Sequence, residues 1–279
     1  MNGPSPRVVF VVSHTHWDRE WYQTLGEFRV DMDRAFRAVF ADLEAGRLDH
    51  FVLDGQAILL DDYLAGRPGE RGRIRDLVLG GRLAVGPWYI LPDEFLVSGE
   101  ATVRNLILGH QAASELGGVQ KVGYMPDSFG HVAQVPQLLR GVGIDSFIYT
   151  RGNGDEIDRL GWEFAWRAPD GSEVLAINQV RGYCNAGGLG MHEIWHAHTP
   201  REVDPDRAVA QAREIFAAHA ERARSDVVLL NKGCDHFPPP RDLDRVMAAL
   251  EEAFPGTEFR RGAYADYLEA VRASAPTLE

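Results

Sequence analysis

Residues 8–12, Val-Val-Phe-Val-Val, form an apolar, β-branched run of the length a buried strand uses, and polar residues follow it at once. Similar short runs recur at 51–53, 83–85, 121–125, 146–149 and 226–230. Between them, apolar residues fall three and four apart, the spacing of a helix face, near 29–45, 56–65, 70–79, 101–116, after 131 and over 205–223. Extended segments are expected at 162–166 and 174–177, and further helices at 240–252 and 263–273. Regular alternation of this kind predicts parallel strands joined by crossover helices. Such folds carry their catalytic groups on loops after strand C-termini. The loosest stretch, 181–204, is rich in Gly, His and Pro and reads as a long functional loop.

Composition narrows the class. The 279 residues are most simply one large α/β domain, with 45% hydrophobic and 25% charged residues. A net charge of −12 without a basic stripe argues against nucleic acid as a partner. No apolar run approaches the roughly 18 residues of a membrane span. One Arg and a five-residue apolar run at the N-terminus are too little for a signal peptide. Cys184 and Cys234 are far apart and imply no disulfide framework. A cytoplasmic enzyme fits these features.

Candidate chemistry gathers at three strand ends. His16 and Asp18 follow the first run at i and i+2, so their side chains converge if the extended geometry lasts that far. One imidazole beside one carboxylate makes half of a divalent metal site, although His and Asp also cap turns. Asp127 stands between a strand and a helix in Met125-Pro126-Asp127-Ser128-Phe129-Gly130-His131; it could cap that helix or be aimed into a pocket. Asp235 and His236 end the run Leu229-Leu230-Asn231-Lys232-Gly233-Cys234, where a satisfied loop pair is the plain alternative.

Taken together and in order, these motifs resemble the N-terminal catalytic domain of glycoside hydrolase family 38, the α-mannosidases. They include His14-Thr15-His16-Trp17-Asp18-Arg19-Glu20-Trp21-Tyr22, Val52-Leu53-Asp54-Gly55-Gln56, Gly86-Pro87-Trp88-Tyr89, Val97-Ser98-Gly99-Glu100 and Asp170-Gly171-Ser172-Glu173-Val174. The likeness covers essentially the whole chain and is greatest to the bacterial branch, which includes mannosylglycerate hydrolase-like enzymes. It implies a (β/α)7 barrel of the glycoside hydrolase/deacetylase type and a retaining mannosidase acting on mannose-containing glycosides with one divalent ion, zinc. It also implies His16 and Asp18 as metal ligands, Asp127 as both ligand and nucleophile, Trp21 beneath the sugar ring and Arg151 as an orienting group. Tyr183 and Asp235 are implied to line the sugar subsite. The axial 2-hydroxyl of mannose, cis to the 3-hydroxyl, suits chelation of one cation. Retention needs a second carboxyl group as acid and base, for which Asp235 is the choice and Glu193 and Asp155 the rivals. His236 is grouped with the substrate-binding residues and as a stand-in ligand.

One departure stands out. The family's last metal ligand is a His further along, and this chain stops at Pro276-Thr277-Leu278-Glu279, short of that segment. A catalytic domain truncated before helical and β-rich domains is therefore expected, with those domains or further copies of the chain as partners. An inactive carbohydrate-binding fragment is the non-enzyme alternative. Two rival motifs compete: His192-Glu193-Ile194-Trp195-His196 matches a zinc-protease helix but has barely two turns before Pro200. His14-x-His16 is compatible with a metal-dependent amidohydrolase barrel, which needs further His ligands after its middle strands.

Overall fold

The computed structural model describes residues 5–191, 203–275 and 278. Its strands are β1 (Val8–Thr15), β2 (Phe51–Leu53), β3 (Leu83–Ala84), β4 (Gly123–Met125), β5 (Ser146–Tyr149), β6 (Glu163–Arg167), β7 (Glu173–Asn178), β8 (Val227–Lys232) and β9 (Glu258–Arg261). Its helices are α1 (Leu25–Glu44), α2 (Ile58–Gly66), α3 (Arg71–Leu79), α4 (Gly99–Glu115), α5 (Val135–Gly141), α6 (Ile157–Leu160), α7 (Pro205–Ala220), α8 (Leu243–Ala253) and α9 (Tyr264–Ser274).

β1 shows how the barrel is built. All eight of its residues are buried, and its two faces meet different cores. Val8, Phe10 and Val12 join Val52, Tyr124, Ile148, Ile177, Val227 and Leu229 in one apolar cluster. The members come from six strands, so these strands share an interior. Val9 and Val11 face the other way, into a cluster with Phe36, Phe40, Leu59 and Phe216 of the surrounding helices. Strand geometry turns alternate residues to opposite sides, and here both sides are apolar, as in a parallel strand covered by helices.

Seven strands run parallel in two groups, β8–β1–β2–β3 and β4–β5–β7. Around their shared interior they make the expected glycoside hydrolase/deacetylase-type barrel. Among the described residues the ladder breaks between β3 and β4 and between β7 and β8. Asn185 spans the second break: its Nδ2 donates to Val180 O and Leu229 O, and its Oδ1 accepts from Asn231 N–H at 2.8 Å.

Two features depart from regular alternation. β6 pairs antiparallel with β7, because Asp170-Gly171 makes a tight turn with φ +90° at Gly171 instead of a crossover helix. β9 was not expected; it lies parallel beside the first half of β1. After it, α9 turns Tyr264, Tyr267, Leu268 and Val271 into the interior cluster, with Tyr264 stacked on Tyr124 at 4.7 Å.

α1 begins at a capping box, in which Thr24 accepts from Glu27 N–H and the Glu27 side chain reaches back to Thr24 N–H. Met32, Phe36, Val39, Phe40 and Leu43 give it one buried stripe, each side chain contributing roughly 1.5–3 kcal/mol of burial. Among the described residues no helix is long and apolar enough to cross a membrane.

Candidate active site

The polar residues that follow β1, β2, β4 and β8 converge at one end of the barrel. Beyond Thr15 the chain stays tied to the β8 loop: His16 N–H donates to Cys234 O at 3.1 Å, and His236 N–H donates to His16 O at 2.7 Å. Residue 16 therefore keeps the strand register, and His16 continues the inward line of Val12 and His14. Gly233 makes this approach possible, since a Cβ there would lie 1.9 Å from His14 O.

His16 Nδ1 lies 2.8 Å from Asp54 Oδ1. Asp54 follows β2, is fully buried, and takes a left-handed φ of 48° that Asp tolerates ahead of Gly55. Its Oδ2 accepts from Trp17 N–H at 2.8 Å and Gln56 Nε2 at 2.6 Å. With a carboxylate holding Nδ1, the other ring nitrogen keeps its lone pair for a ligand, the arrangement metal-binding histidines use. His16 Nε2 is 3.6 Å from Asp18 Oδ1, too long for a hydrogen bond. Burial works against charge on the ring, but Asp54 and Asp18 overcome it and raise His16 well above the ordinary imidazole range. Burial also opposes ionisation of Asp18, yet His16 and His236 hold its carboxyl below the usual range. The pair sits in a surplus of negative charge that favours a cation.

Asp127 does not cap a helix: α5 begins eight residues later, with Gln134 at its cap. Its Oδ1 accepts from Arg151 Nη1 at 2.5 Å and from Tyr183 OH at 2.9 Å. The turn that carries it is pinned from the β3–α4 loop. Ser128 Oγ donates to Pro92 O, Phe129 N–H to Asp93 Oδ1, and His131 and Val132 both bond the buried Glu94 carboxylate. The same Tyr183 hydroxyl lies 2.9 Å from Asp235 Oδ1. Burial raises the Asp235 carboxyl above its usual range, against the pull of His16, and burial between two carboxylates pushes the Tyr183 phenol up.

A cavity of about 400 Å³ opens here, with His16, Asp18, Arg19, Asp93, Asp127 and Phe129 among its walls. Phe129 is 70% exposed, with the Arg151 guanidinium 4.6 Å over its ring. Trp21 is 66% exposed in the loop between Asp18 and Leu25. His236 is oriented differently from the substrate-facing role expected of it. Only 2% exposed, it stacks on Phe28 at 4.3 Å, accepts Asp18 N–H at Nε2 (3.1 Å), and meets Tyr22 OH at Nδ1 (2.9 Å). It supports the loop that carries Asp18 from behind.

His14 is fully buried below the cavity, and burial lowers it to about 4. Of the rival acids, Asp155 is exposed on the turn before α6, and Glu193, with the whole His192–His196 motif, lies outside the described residues. Sequence reasoning missed Asp54, Glu94 and Phe129, although each sits in or beside a motif run. It also missed that Cys184 and Cys234 are joined by a disulfide, with Cα atoms 4.7 Å apart across 50 residues of sequence. Folding brings the residues after Tyr183 and before Asp235 together.

Seven parallel strands with carboxylates and an imidazole at their C-terminal ends define a barrel of the glycoside hydrolase and polysaccharide deacetylase group. A Mycobacterium smegmatis protein, provisionally named a polysaccharide deacetylase, shares this fold at 13% identity, with a TM-score of 0.55 over 98% of this chain and 93% of that one. Residues 6–278 match the model of the glycosyl hydrolases family 38 N-terminal domain, and the chain belongs to that family. An α-mannosidase structure from Enterococcus faecalis V583 superposes with a TM-score of 0.86 at 32% identity, over 97% of this chain and 30% of that one. A Halalkalibacterium halodurans protein, provisionally named a mannosylglycerate hydrolase, is 33% identical over 97% of this chain and 30% of its own length. A lysosomal α-mannosidase of Dictyostelium discoideum is 26% identical over 81% of this chain and 25% of its own. The chain thus spans about 30% of the first of these relatives.

Proposed function

We propose that this chain is the catalytic barrel of a metal-dependent, retaining α-mannosidase. The observation that carries the reading is the Tyr183 hydroxyl, 2.9 Å from one oxygen of Asp127 and 2.9 Å from one of Asp235. Those two oxygens are at most twice 2.9 Å, or 5.8 Å, apart. A retaining pair stands about 5–5.5 Å apart and an inverting pair roughly 6.5–9.5 Å, so the bound favours direct attack by a carboxylate.

A phenol has one proton and cannot donate to both carboxylates at once. The hydroxyl therefore serves one carboxylate at a time, and burial raises Asp235 toward the protonated form that an acid needs. Arg151 holds the same Asp127 oxygen and stabilises its charge. Asp127 attacks the anomeric carbon, Asp235 protonates the departing glycosidic oxygen, and Asp235 as base then activates water to release the sugar from Asp127. Phe129 and Trp21 offer aromatic faces for the sugar.

His16 and Asp18 fit two ligands of a zinc-type ion, with His16 anchored through Nδ1 and its Nε2 directed to Asp18; Asp127, on the wall of the same cavity, would be the third, although its oxygens do not come within 4.8 Å of both in this structure. Such an ion would hold the vicinal 2- and 3-hydroxyls of mannose and ease ring distortion. The name of the Halalkalibacterium relative suggests mannosides with a small acidic aglycone as first substrates to try.

A slow fluorinated mannosyl substrate tests this. Retained anomeric configuration and a covalent label on the peptide containing Met125-Pro126-Asp127 support the reading. A label elsewhere or an inverted product refutes it, and sugar binding without label or turnover supports the carbohydrate-binding fragment instead.

A further inference from the structure

The Cys184–Cys234 bond lies directly against the catalytic pair. Cys184 follows Tyr183 and Cys234 precedes Asp235, so the disulfide ties together the two segments that present the shared hydroxyl and the acid. Both sulfurs and a carboxylate oxygen of Asp235 lie within 4.8 Å of one another. Cys234 is buried, whereas Cys184 and Asp235 are partly exposed, so the group can be reached from solvent.

We propose that, once reduced, Cys184 and Cys234 together with Asp235 form a second metal site, for a thiophilic divalent cation, separate from the His16–Asp18–Asp127 site. This inference rests on the assignment of Asp235 as the acid only for its consequence for catalysis; the site itself rests on the clustering of the three ligands.

Two thiolates on a tetrahedral zinc, each about 2.3 Å from the metal, are about 3.8 Å apart. Once the covalent bond is broken, non-bonded contact pushes two sulfurs to a similar separation, so side-chain rotation alone is enough to open the pair into a chelate. Their Cα atoms, 4.7 Å apart on backbone held by the β7 and β8 segments, keep the thiols from diffusing apart. Asp235 supplies the third, harder ligand, and water the fourth. Reduction breaks the S–S bond, with two electrons from a dithiol or phosphine reductant and two protons from water giving two thiols. Metal capture then releases those two protons. A cation held this way takes the Asp235 carboxylate out of service, so thiol oxidation protects the acid and reduction in the presence of soft metal silences it.

Cadmium titration reads this directly, because thiolate–cadmium binding gives a charge-transfer absorption that carboxylate and imidazole sites do not. Phosphine-reduced protein is expected to take up one more cadmium equivalent than oxidised protein, with the thiolate band appearing only in the reduced form. Cys184→Ser and Cys234→Ser should each lose the extra equivalent and the band, and Asp235→Asn should bind it at least tenfold more weakly. Asp18→Ala should keep it. Equal uptake by the oxidised and reduced forms overturns the proposal, as does loss of the extra equivalent in Asp18→Ala. Unchanged affinity in Asp235→Asn removes Asp235 from the ligand set and overturns the shared site. If the His16 site binds no metal at all, wild type and Asp18→Ala simply behave alike and the difference between redox forms still decides the question. Circular dichroism of each variant before reduction or metal addition establishes that it is folded.

Discussion

Replacing Asp54 by Asn exchanges one oxygen for an NH2 group at constant volume, and the surrounding hydrogen bonds dictate where that group goes. Trp17 N–H and Gln56 Nε2 both donate to Oδ2, so the amide oxygen must stay there. The NH2 group then takes the Oδ1 position, 2.8 Å from His16 Nδ1. A donor facing Nδ1 forces the imidazole proton onto Nε2, the nitrogen that must coordinate the ion. Turning the amide around restores the ring but sets NH2 against two donors, losing two hydrogen bonds at about 1 kcal/mol each, with a further penalty for leaving those donors unpaired. Either route works against metal binding by at least about 2 kcal/mol, so zinc affinity should fall toward the upper end of the 10–100-fold range seen for outer partners of metal-bound histidines. Competition with a chromophoric chelator, on oxidised protein, measures this, and thermal unfolding of the metal-free forms checks the fold. Zinc affinity within twofold of wild type, with unchanged melting, would show that Asp54 does not set the His16 tautomer and that the ligand assignment is unsound.

Asp127→Asn should melt within a few degrees of wild type but lose turnover of an aryl α-mannoside by several orders of magnitude; a modest loss would remove Asp127 from the nucleophile's role. Asp235 must be protonated to act as acid, so the rate should fall as pH rises through its raised pKa. Tyr183→Phe removes a donor that stabilises the ionised form, raising that pKa further, and the basic limb of the pH–rate profile should move to higher pH; movement to lower pH contradicts the hydrogen-bond chain. Gly233→Ala puts a methyl group against His14 O, and urea unfolding should show a loss of at least about 2 kcal/mol, since overpacking of this kind costs about 1–3 kcal/mol even where side chains can yield. Chelation of metal from active protein should abolish hydrolysis, with recovery on adding zinc; full activity in excess chelator would exclude the ion from the reaction.

Some parts of this molecule are readable from short stretches of sequence, and the reason is local. The run 8–12 is apolar on both faces because β1 has a core on each side, and strand geometry carries its register directly to His16. Asp127 and Asp235 are visible as polar residues where apolar runs stop. Asp54 is not visible in the same way: Asp-Gly after a strand also reads as a plain turn, and its partner His16 is 38 residues away. The disulfide is hidden by a separation of 50 residues that the fold closes. β9 escaped because Glu258-Phe-Arg-Arg is charged at the barrel edge and lacks the apolar alternation of a covered strand. The β6–β7 hairpin was seen as two extended segments, but no periodicity tells an antiparallel return from a parallel one.

The path of α9 sets a problem of reach. It leaves β9 partway up the barrel, level with Val11 of β1, and runs back, so that Arg272 bonds Asp145 just before β5 and Ser274 Oγ bonds Asp226 just before β8. Ala275 therefore sits at the floor, on the side away from His16. Any polypeptide joined after it, if it is to place a further side chain beside the ion, must first climb the outside of a barrel whose β8 is six residues long, on the order of 20 Å at about 3.3 Å per residue. A ligand delivered by that route arrives from the rim, over the loops that carry Trp21 and Phe129 or between them. Its docking would then shape the mouth of the cavity as well as the ligand set of the proposed metal site, linking the two to whatever polypeptide makes the climb.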